Sequence, residues 1–284
     1  MIDETAEEIR EMQTHSSSVV AVKAARALEA LCDREHATVE EYLVALQRNS
    51  DALRRASPSH ASLQSTQRDI VDAVEAASPD TIEEAKAATR EAVADVVDRV
   101  ENAKQAAAAN AADRLADGDT LLTHDYSTTV LAAIERAVAD GADLEVYVTE
   151  ARPRVLGRKT ARELGSLDGV DVHLIVDGAC GAYVCECDRV LLGMTCVAGD
   201  TYYNRVGTYP VAATAADTGV PVTACGSSMK VVAEPFEFEA EHRPVSEVIR
   251  EPAEGFTVEN PAYDATPTRL LAEVVTERGV EEPS

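Results

Sequence analysis

The stretch "TLLTHDYSTTVLAAIERAVADGADLEVYVTE", residues 120–150, contains the pattern from which the fold of this chain can be predicted. It opens on a short apolar run, continues with apolar residues at helical spacing, and closes on a second short run rich in valine. The same alternation continues in "VDVHLIVD" at 170–177, "RVLLGM" at 189–194, "PVTACG" at 221–226 and "LAEVVTE" at 271–277. This order of strands and helices predicts a parallel sheet covered on both faces. Because runs such as "VHLIVD" are almost continuously apolar, we expect these strands to be buried on both sides.

The part of the chain before this stretch has the pattern of helices throughout. The longest helix is predicted to begin at Ser78 as its cap, with Pro79 at its first position, and to end towards Gly118. We therefore predict an α/β protein with a helical N-terminal domain, residues 1–117, followed by a parallel-sheet domain, residues 118–284.

The charge balance of the chain is strongly acidic. It has 51 Asp and Glu against 26 Lys and Arg, and a formal net charge of -25. Nucleic acid is therefore excluded as a direct partner, because a phosphate backbone requires a surplus of basic residues. Acids spread along the chain, together with very few lysines, are typical of a halophile, in whose cytosol salt screens self-repulsion.

Neither a membrane segment nor a targeting signal is found in the sequence. No run of 18 apolar residues occurs, and the start "MIDETAEEIREM" is acidic where a signal peptide would be basic. We therefore expect a cytoplasmic protein with no membrane partner, whose six cysteines stay reduced. Their spacing matches no recognised zinc pattern, so we predict neither a metal site nor a cofactor.

One candidate site is a basic segment that follows the second predicted strand. Arg152, Arg154, Arg158, Lys159 and Arg162 occur there without an intervening acid. Guanidinium groups suit phosphate oxygens, and a loop that leads into a helix adds backbone donors, so the segment is predicted to bind an anion. The alternative is a set of arginines that cover a helix face and pair with nearby acids.

A second candidate lies in "NRVGT", where Asn204 and Arg205 precede Gly207 and Thr208. The last two residues are predicted to open a helix. In such sheets ligands bind beyond the C-terminal ends of the strands, so this turn is positioned to contact a phosphate or a sugar hydroxyl. The same residues are equally compatible with a simple helix cap.

The opening stretch places His124, Asp125 and Ser127 at the end of its first strand. We include all three among the ligand-binding residues. Ser127 is also a good helix cap, and an aspartate near a helix start is favoured by the helix dipole. A catalytic triad is not predicted, because three side chains within four positions do not generally form the hydrogen-bonded chain that a nucleophile needs.

Four motifs, in the same order and at the same spacing, resemble one known protein family. They are "LLTHDYSTTVLAAIERA" at 121–137, "VYVTEARPRVLGRKTARELGSLDGVDVHLIVDGACGAY" at 146–183, "NRVGTYPVAATAADTGVPV" at 204–222 and "NPAYDATPTRLLAEVVTERG" at 260–279. The family is that of the alpha, beta and delta subunits of translation initiation factor 2B, which also contains ribose 1,5-bisphosphate isomerase and methylthioribose 1-phosphate isomerase. The resemblance implies a helical N-terminal domain and a Rossmann-like C-terminal domain, residues 118–284, through which homodimers or larger assemblies are built. It also implies a pocket for a sugar phosphate or nucleoside monophosphate at the strand ends.

The sequence departs from the isomerases of this family at their reactive residues. Asp125 stands at the position of their catalytic cysteine, and Thr195 stands at the position of their aspartate. Neighbouring Cys196 is expected to face away from Thr195, since successive residues of an extended segment point to opposite sides. The family's phosphate-binding arginine-glycine turn corresponds here to a segment beginning at Thr14.

These departures favour a non-catalytic protein of the initiation factor 2B type over an enzyme. We therefore predict no catalytic residues. Such a protein would bind a phosphorylated small molecule and act through self-assembly or a protein partner. The alternative is a sugar-phosphate aldose-ketose isomerase with an altered site, in which Asp125 acts as the base. A third hypothesis is a vestigial pocket on a protein that works only through its dimer surface.

Overall fold

The computed structural model of the protein describes residues 2–11, 16–232, 238–239, 241–251 and 254–283. Thr14, at the predicted counterpart of the arginine-glycine turn, lies outside these ranges. The chain divides into two compact units, residues 1–103 and 104–284, which are described separately below. The domain boundary at 117 and 118 stays a prediction.

The first unit consists of helices. They are α1 (Ile2–Arg10), α2 (Ser17–Leu28), α3 (Val39–Ala56), α4 (Ala61–Ala76) and the first part of α5 (Ile82–Ala112). Helix α4 packs against both α2 and α3. Leu28, Tyr42, Leu46, Leu63 and Ile70 are fully buried and belong to the apolar core of this unit.

The start of α5 differs from the prediction. Ser78 has a φ of 45° and lies in the left-handed region, so it cannot be the cap of a helix that runs on from Pro79. The cap is Thr81, whose hydroxyl accepts from Glu84 N at 3.2 Å, while the Glu84 carboxylate accepts from Thr81 N at 3.2 Å. This reciprocal pair is a capping box, which begins the helix at Ile82.

The second unit contains eleven strands and four further helices within the described residues. The strands are β1 (Thr120–His124), β2 (Leu144–Thr149), β3 (Val170–Ile175), β4 (Arg189–Gly193), β5 (Cys196–Ala198), β6 (Thr201–Arg205), β7 (Val222–Cys225), β8 (Val231–Val232), β9 (Tyr263–Pro267), β10 (Glu273–Thr276) and β11 (Gly279–Glu281). The helices are α6 (Thr128–Ala139), α7 (Gly157–Leu164), α8 (Cys180–Tyr183) and α9 (Thr208–Thr218).

Seven of the strands form one sheet in the order β11-β10-β7-β4-β1-β2-β3. All neighbours in it are parallel except β10 and β11, which are antiparallel. All six strands expected from the sequence lie in this sheet, and the predicted α/β, Rossmann-like architecture is confirmed. No helix in the described part of the chain has the length and apolar content that a membrane crossing requires.

Each face of the seven-stranded sheet carries its own apolar core. Leu122, Val190 and Leu192 lie in the core of one face, and Leu121 and Leu191 lie in the core of the other. Successive residues of β1 and β4 thus point to opposite faces, as the pleat of a strand requires. The last turns of α5 join the second core with their alanines, whose small side chains let the helix approach closely.

The strand β3 differs from the expectation of burial on both sides. It is the edge of the seven-stranded sheet within the described residues, and Leu174 is 47% exposed. Val176, just beyond the strand, is 60% exposed. The prediction was wrong because a continuous apolar run does not distinguish a central strand from an edge strand whose apolar side chains remain uncovered.

The other four strands form a second sheet, which the sequence pattern did not predict. Its order is β8-β5-β6-β9, and β6 is antiparallel to both β5 and β9. Beside it, residues 241–243 run antiparallel to 260–262: Ala262 N donates to Glu241 O and Arg243 N donates to Asn260 O, each at 2.8 Å. These attachments bring the segment 241–251 next to the end of β6.

Candidate functional site

The residue after β1 turns the chain sharply. Asp125 has a φ of 66°, a left-handed conformation that aspartate tolerates better than most residues. Its main-chain carbonyl accepts from the Thr160 hydroxyl at 2.7 Å, which ties the turn to α7. Two residues on, Ser127 caps α6 by accepting from Val130 N at 3.3 Å. The predicted cap at Ser127 is therefore present in the structure.

His124 is buried behind this turn rather than on the surface of a cleft. Its Nε2 donates to the carbonyl of Val206 at 2.8 Å, and its Nδ1 lies 2.6 Å from the Thr149 hydroxyl. The neighbouring Gly207 has a φ of 103°, and a Cβ there would lie 2.5 Å from the imidazole ring. The histidine thus connects the ends of β1, β2 and β6, with both ring nitrogens already engaged.

The basic segment begins in a constrained loop after β2. Ala151 and Val155 have φ values of 59° and 52°, unusual for residues that carry a Cβ. The carboxylate of Asp177 accepts from Ala151 N and from Arg152 N, both at 2.7 Å, and so fixes the direction of the loop. Strained backbone held by specific partners is common at functional sites.

The structure divides the basic segment into two parts. Arg152 and Arg154 line a cleft, whereas the remaining basic residues lie on or beside α7. There Arg158 donates to Glu150, with 2.8 Å between Nε and Oε1. Lys159 lies 3.9 Å from the Glu163 carboxylate and 3.9 Å from the centre of the Tyr126 ring. For Arg158 and Lys159 the alternative of an acid-paired helix face describes the contacts. Their part in an anion site, like that of Arg162, stays a prediction.

The cleft encloses an empty volume of about 330 Å³, part of it open to solvent. Its charged and amide side chains come from five separate segments. They are Asp125, Arg152, Arg154, Arg205, Arg243, Glu247 and Asn260. Sequence reasoning missed the last three, although "HRPVSE" and the motif that begins at Asn260 carry charged and amide groups outside any strand pattern.

Arg205 extends from the end of β6 to the carboxylate of Asp125. Its Nε lies 3.5 Å from Asp125 Oδ2, and its guanidinium carbon lies 4.8 Å from the centre of the Tyr263 ring. Burial alone would lower the pKa of Arg205, but the charges of Tyr263 and Asp125 more than offset this and raise it. The two sheets therefore meet in an ion pair at the wall of the cleft.

Positive charge is concentrated on the other wall. Burial lowers the pKa of Arg154, and the nearby positive charges of Arg205 and Arg243 lower it further. Glu247 offsets part of this charge, with 2.7 Å between its Oε1 and Arg243 Nη2 and 3.9 Å to Arg154 Nε. Although burial would raise the pKa of Glu247, these cations lower it. Four arginines against two acids leave a net positive cleft in a strongly acidic chain.

The rest of the second candidate lies behind the cleft wall. Asn204 donates to the Thr208 hydroxyl at 3.1 Å and accepts from the Thr195 hydroxyl at 3.4 Å. Gly207 N donates to Asp264 at 2.8 Å. Of the four residues in that candidate, Arg205 lines the cleft, and the others hold the β6–α9 turn. Their contact with a ligand stays a prediction.

Cysteines and acids provide no metal centre in the part of the chain that the structure describes. No group of three or more His, Cys, Asp and Glu side chains is placed to hold an ion there. Cys196 and Cys225 are fully buried, and burial raises the pKa of each thiol to about 12. Thiols of this kind behave as small apolar side chains.

Taken together, the geometry defines an α/β protein with a cleft, lined by four arginines and two acids, at the C-terminal ends of its parallel strands. The sequence also matches the model of the Initiation factor 2 subunit family over residues 13–283. The chain belongs to that family, which includes the proteins of the resemblance described above.

Individual relatives support the same assignment. The chain is 33% identical to ribose 1,5-bisphosphate isomerase of Haloterrigena turkmenica, with 97% of this chain and 88% of that protein aligned. It is also 33% identical to the Haloferax volcanii protein of the same name, over 97% and 87%. Among solved structures, translation initiation factor eIF-2B of Pyrococcus horikoshii OT3 superposes with a TM-score of 0.85 at 24% identity, covering 99% of this chain and 97% of that one.

These relatives correct one expectation. The preference for a non-catalytic protein of the factor type is wrong, because relatives aligned along nearly the whole chain are named isomerases. That preference depended on Asp125 and Thr195, which replace the two reactive residues of the isomerases. However, Asp125 still presents a carboxylate on the cleft wall, beside arginines that the departures do not touch. The genus names of both relatives, Haloterrigena and Haloferax, refer to salt, which agrees with the halophile-type composition of this chain.

Proposed function

We propose that this protein is an aldose-ketose isomerase that acts on a phosphorylated ribose, with ribose 1,5-bisphosphate as its substrate. The names of its relatives support this proposal. The observation that carries it is the Asp125 carboxylate on the wall of a cleft lined by the guanidinium groups of Arg152, Arg154, Arg205 and Arg243.

The reaction rearranges atoms within one molecule. In going from ribose 1,5-bisphosphate to ribulose 1,5-bisphosphate, the C2–H bond breaks and a new C1–H bond forms. The bond between C1 and the ring oxygen also breaks, and the proton of the C2 hydroxyl passes to that oxygen. Carbon 1 is reduced and carbon 2 is oxidised, so atoms and electrons balance within the sugar. The protein must supply a group that carries a proton between adjacent carbons.

In our proposal Asp125 carries that proton. A carboxylate can accept a proton from C2 and return it to C1 without a second protein group. The left-handed turn at Asp125 and its ion pair with Arg205, at 3.5 Å, fix the carboxylate on the wall of the cleft. In the sequence, Asp125 stands at the position where the resemblance implies the cysteine of the isomerases. Thr195 is 9% exposed and donates to Asn204, so we assign it a supporting role in the β6 turn.

The arginines of the cleft are proposed to hold the phosphates. A planar guanidinium offers two parallel N–H groups to phosphate oxygens, which gives both charge and direction. Arg152 and Arg154 come from the constrained loop after β2, and Arg243 comes from the segment 241–251. Groups from separate segments suit a substrate with a phosphate at each end.

An isomerase assay tests this proposal. Purified protein in molar potassium chloride is expected to convert ribose 1,5-bisphosphate into ribulose 1,5-bisphosphate, and Asp125→Asn is expected to lower kcat by roughly 10²–10⁴-fold. Asp140→Asn is the matched control, since Asp140 is 70% exposed and pairs with Arg136 at the end of α6, with 3.8 Å between Arg136 Nε and Asp140 Oδ2. Absence of turnover by the native protein, or full activity of Asp125→Asn, would contradict the proposal.

We also propose that the protein forms homodimers or larger assemblies through the sheet-bearing unit. The exposed side chains of Leu174 and Val176 on and beside the edge strand β3 support this, because uncovered apolar groups at a sheet edge favour association. Sedimentation in molar potassium chloride is expected to show an assembly that Leu174→Asp weakens. An unchanged mass for this variant would exclude the β3 edge as the contact.

A further inference from the structure

Glu247 has an unusual position for an acid in a cleft proposed to bind anions. Its carboxylate is 21% exposed and accepts from Arg243, with 2.7 Å to Nη2. It lies 3.9 Å from Arg154 Nε and accepts from Asn260 Nδ2 at 3.4 Å. Two guanidinium groups and an amide are the donors that a phosphate group also requires.

The segment that carries Glu247 is anchored on both sides of the cleft. Arg243 N donates to Asn260 O at 2.8 Å, which joins the segment to the residues before β9. From the constrained loop, Arg152 Nη2 donates to the carbonyl of Val248 at 3.2 Å. Glu247 itself ends a short 3-10 turn that begins at Val245. A carboxylate on such a turn can leave its partners without unfolding a helix or strand.

The positive charges around Glu247 explain why its carboxylate lies against Arg154 and Arg243. Arg154, Arg205 and Arg243 repel one another, and this repulsion adds to the effect of burial in lowering the pKa of Arg154. Glu247 supplies negative charge directly to Arg154 and Arg243, whereas Asp125 and Glu241 act on Arg205. A phosphate dianion supplies more charge than one carboxylate, so it can replace Glu247, whereas a monoanion such as chloride gains little by doing so.

We infer that Glu247 is an internal competitor of the substrate, whose carboxylate occupies the position of a phosphate group on Arg154 and Arg243 and gives way when that phosphate binds. This inference rests on the proposed function, since it assigns those two arginines to a phosphate. Glu247 then acts on specificity: it holds the arginines in place, and it lets strongly charged phosphates enter in preference to the chloride of a concentrated salt solution.

Titration with inorganic phosphate and with ribose 5-phosphate tests the inference without any turnover. In Glu247→Gln, binding measured by calorimetry at constant potassium chloride is expected to tighten roughly 5- to 50-fold, the usual range for removal of a coupled competitor. Chloride should then weaken phosphate binding more steeply in this variant than in the native protein. Glu259→Gln is the matched control: Glu259 neighbours Asn260 and pairs with His242, so it removes the same charge outside the arginine pair.

Thermal unfolding provides a second measurement. Glu247→Gln leaves the arginines without their countercharge, so its midpoint should fall, and phosphate should raise that midpoint more than it raises the native one. Glu247→Asp retains the charge on a shorter side chain and should give an intermediate phosphate affinity. Glu247→Asp is the variant to measure if Glu247→Gln does not fold.

The outcomes separate the inference from the proposed function. Weaker phosphate binding by Glu247→Gln would show that Glu247 orients the arginines for phosphate, and equal tightening in Glu259→Gln would show an effect of net charge alone. Either result overturns the inference even if the native protein turns over ribose 1,5-bisphosphate. Tighter binding confined to Glu247→Gln, in a protein with no turnover, would instead support the inference and contradict the isomerase assignment.

Discussion

The two sheets of the second unit contribute to the cleft in different ways. The seven-stranded sheet supplies Asp125 and the loop with Arg152 and Arg154, all placed directly after parallel strands. The four-stranded sheet supplies Arg205 at the end of β6 and the attachment for the segment with Arg243. One sheet thus carries the proposed proton carrier, and the other carries much of the charge that surrounds it.

The candidate site of this protein thus combines a regular part and an irregular part of one fold. Long parallel strands position their C-terminal ends reproducibly, so groups located there share one edge. The short strands β5 and β8 have three and two residues, and they hold their partners through turns rather than through a long ladder. Substitutions on each side therefore have different expected effects.

The largest effect is expected for Gly157→Ala, which disturbs the large-sheet side. A Cβ at Gly157 would lie 1.8 Å from the carbonyl oxygen of Thr149, so the loop after β2 must move. We expect a loss of about 3 kcal/mol in the free energy of unfolding, as for a severe overpacking substitution, measured by urea denaturation in high salt. Gly178→Ala is the control, because nothing lies within 4 Å of its Cβ position. Equal stability of both variants would show that the loop yields easily.

The second effect concerns the small-sheet side. Arg205→Gln removes the cation that pairs with Asp125 across the two sheets. We expect phosphate affinity to fall by about 2 kcal/mol, roughly thirtyfold, because a buried charge loses its partner and the cleft loses a guanidinium group. Calorimetric titration with ribose 5-phosphate measures this. Unchanged affinity would mean that the large-sheet side binds the ligand alone.

The third prediction uses acid to probe the large sheet. Glu273 on β10 accepts from Arg189 at 2.6 Å and from the Thr223 hydroxyl at 2.8 Å. Burial would raise the pKa of Glu273, but these partners together with Arg114 lower it below 4.5. Its contribution to stability is therefore fully present above pH 4.5 and is lost as pH falls through the lower, folded-state pKa.

Measurement of the free energy of unfolding at decreasing pH checks the direction of this change in stability. Glu273→Gln is expected to be less stable than the native protein near neutral pH and to lose less of its stability below pH 4.5. The carboxylate of Glu163, which pairs with Lys159 on α7, provides the comparison variant Glu163→Gln. Parallel curves for the native protein and Glu273→Gln across the acid range would contradict the prediction.

The smallest effect is expected for Arg158→Gln. Arg158 belongs to the same basic segment as Arg154, but it is 48% exposed and pairs with Glu150 outside the cleft. An exposed ion pair contributes little, so phosphate affinity should change by less than about twofold. Arg154→Gln, measured in the same titration, should lose far more. Equal losses of phosphate affinity in the two variants would show that Arg158 belongs to the phosphate site and that the basic segment is not divided.

Much of the large sheet could be predicted from the sequence, because buried parallel strands carry apolar runs and their helices carry caps. The position of Asp125 after β1 followed from that pattern. The small sheet could not be predicted in this way: "TYYNR" in β6 is mixed in polarity, and β9 gains its place only by pairing with β6. Glu247 and Arg243 were missed because their approach to the cleft depends on contacts with residues 260–262 rather than on any local pattern.

The double acceptor Asp177 has a consequence for communication through the protein. It follows the edge strand β3 and holds the backbone of Ala151 and Arg152 with both carboxylate oxygens. A molecule that binds along β3 and favours one position of Asp177 therefore favours one position of Arg152. By thermodynamic reciprocity, a ligand that favours the same position of Arg152 then raises the affinity of the β3 edge for that molecule by the same factor.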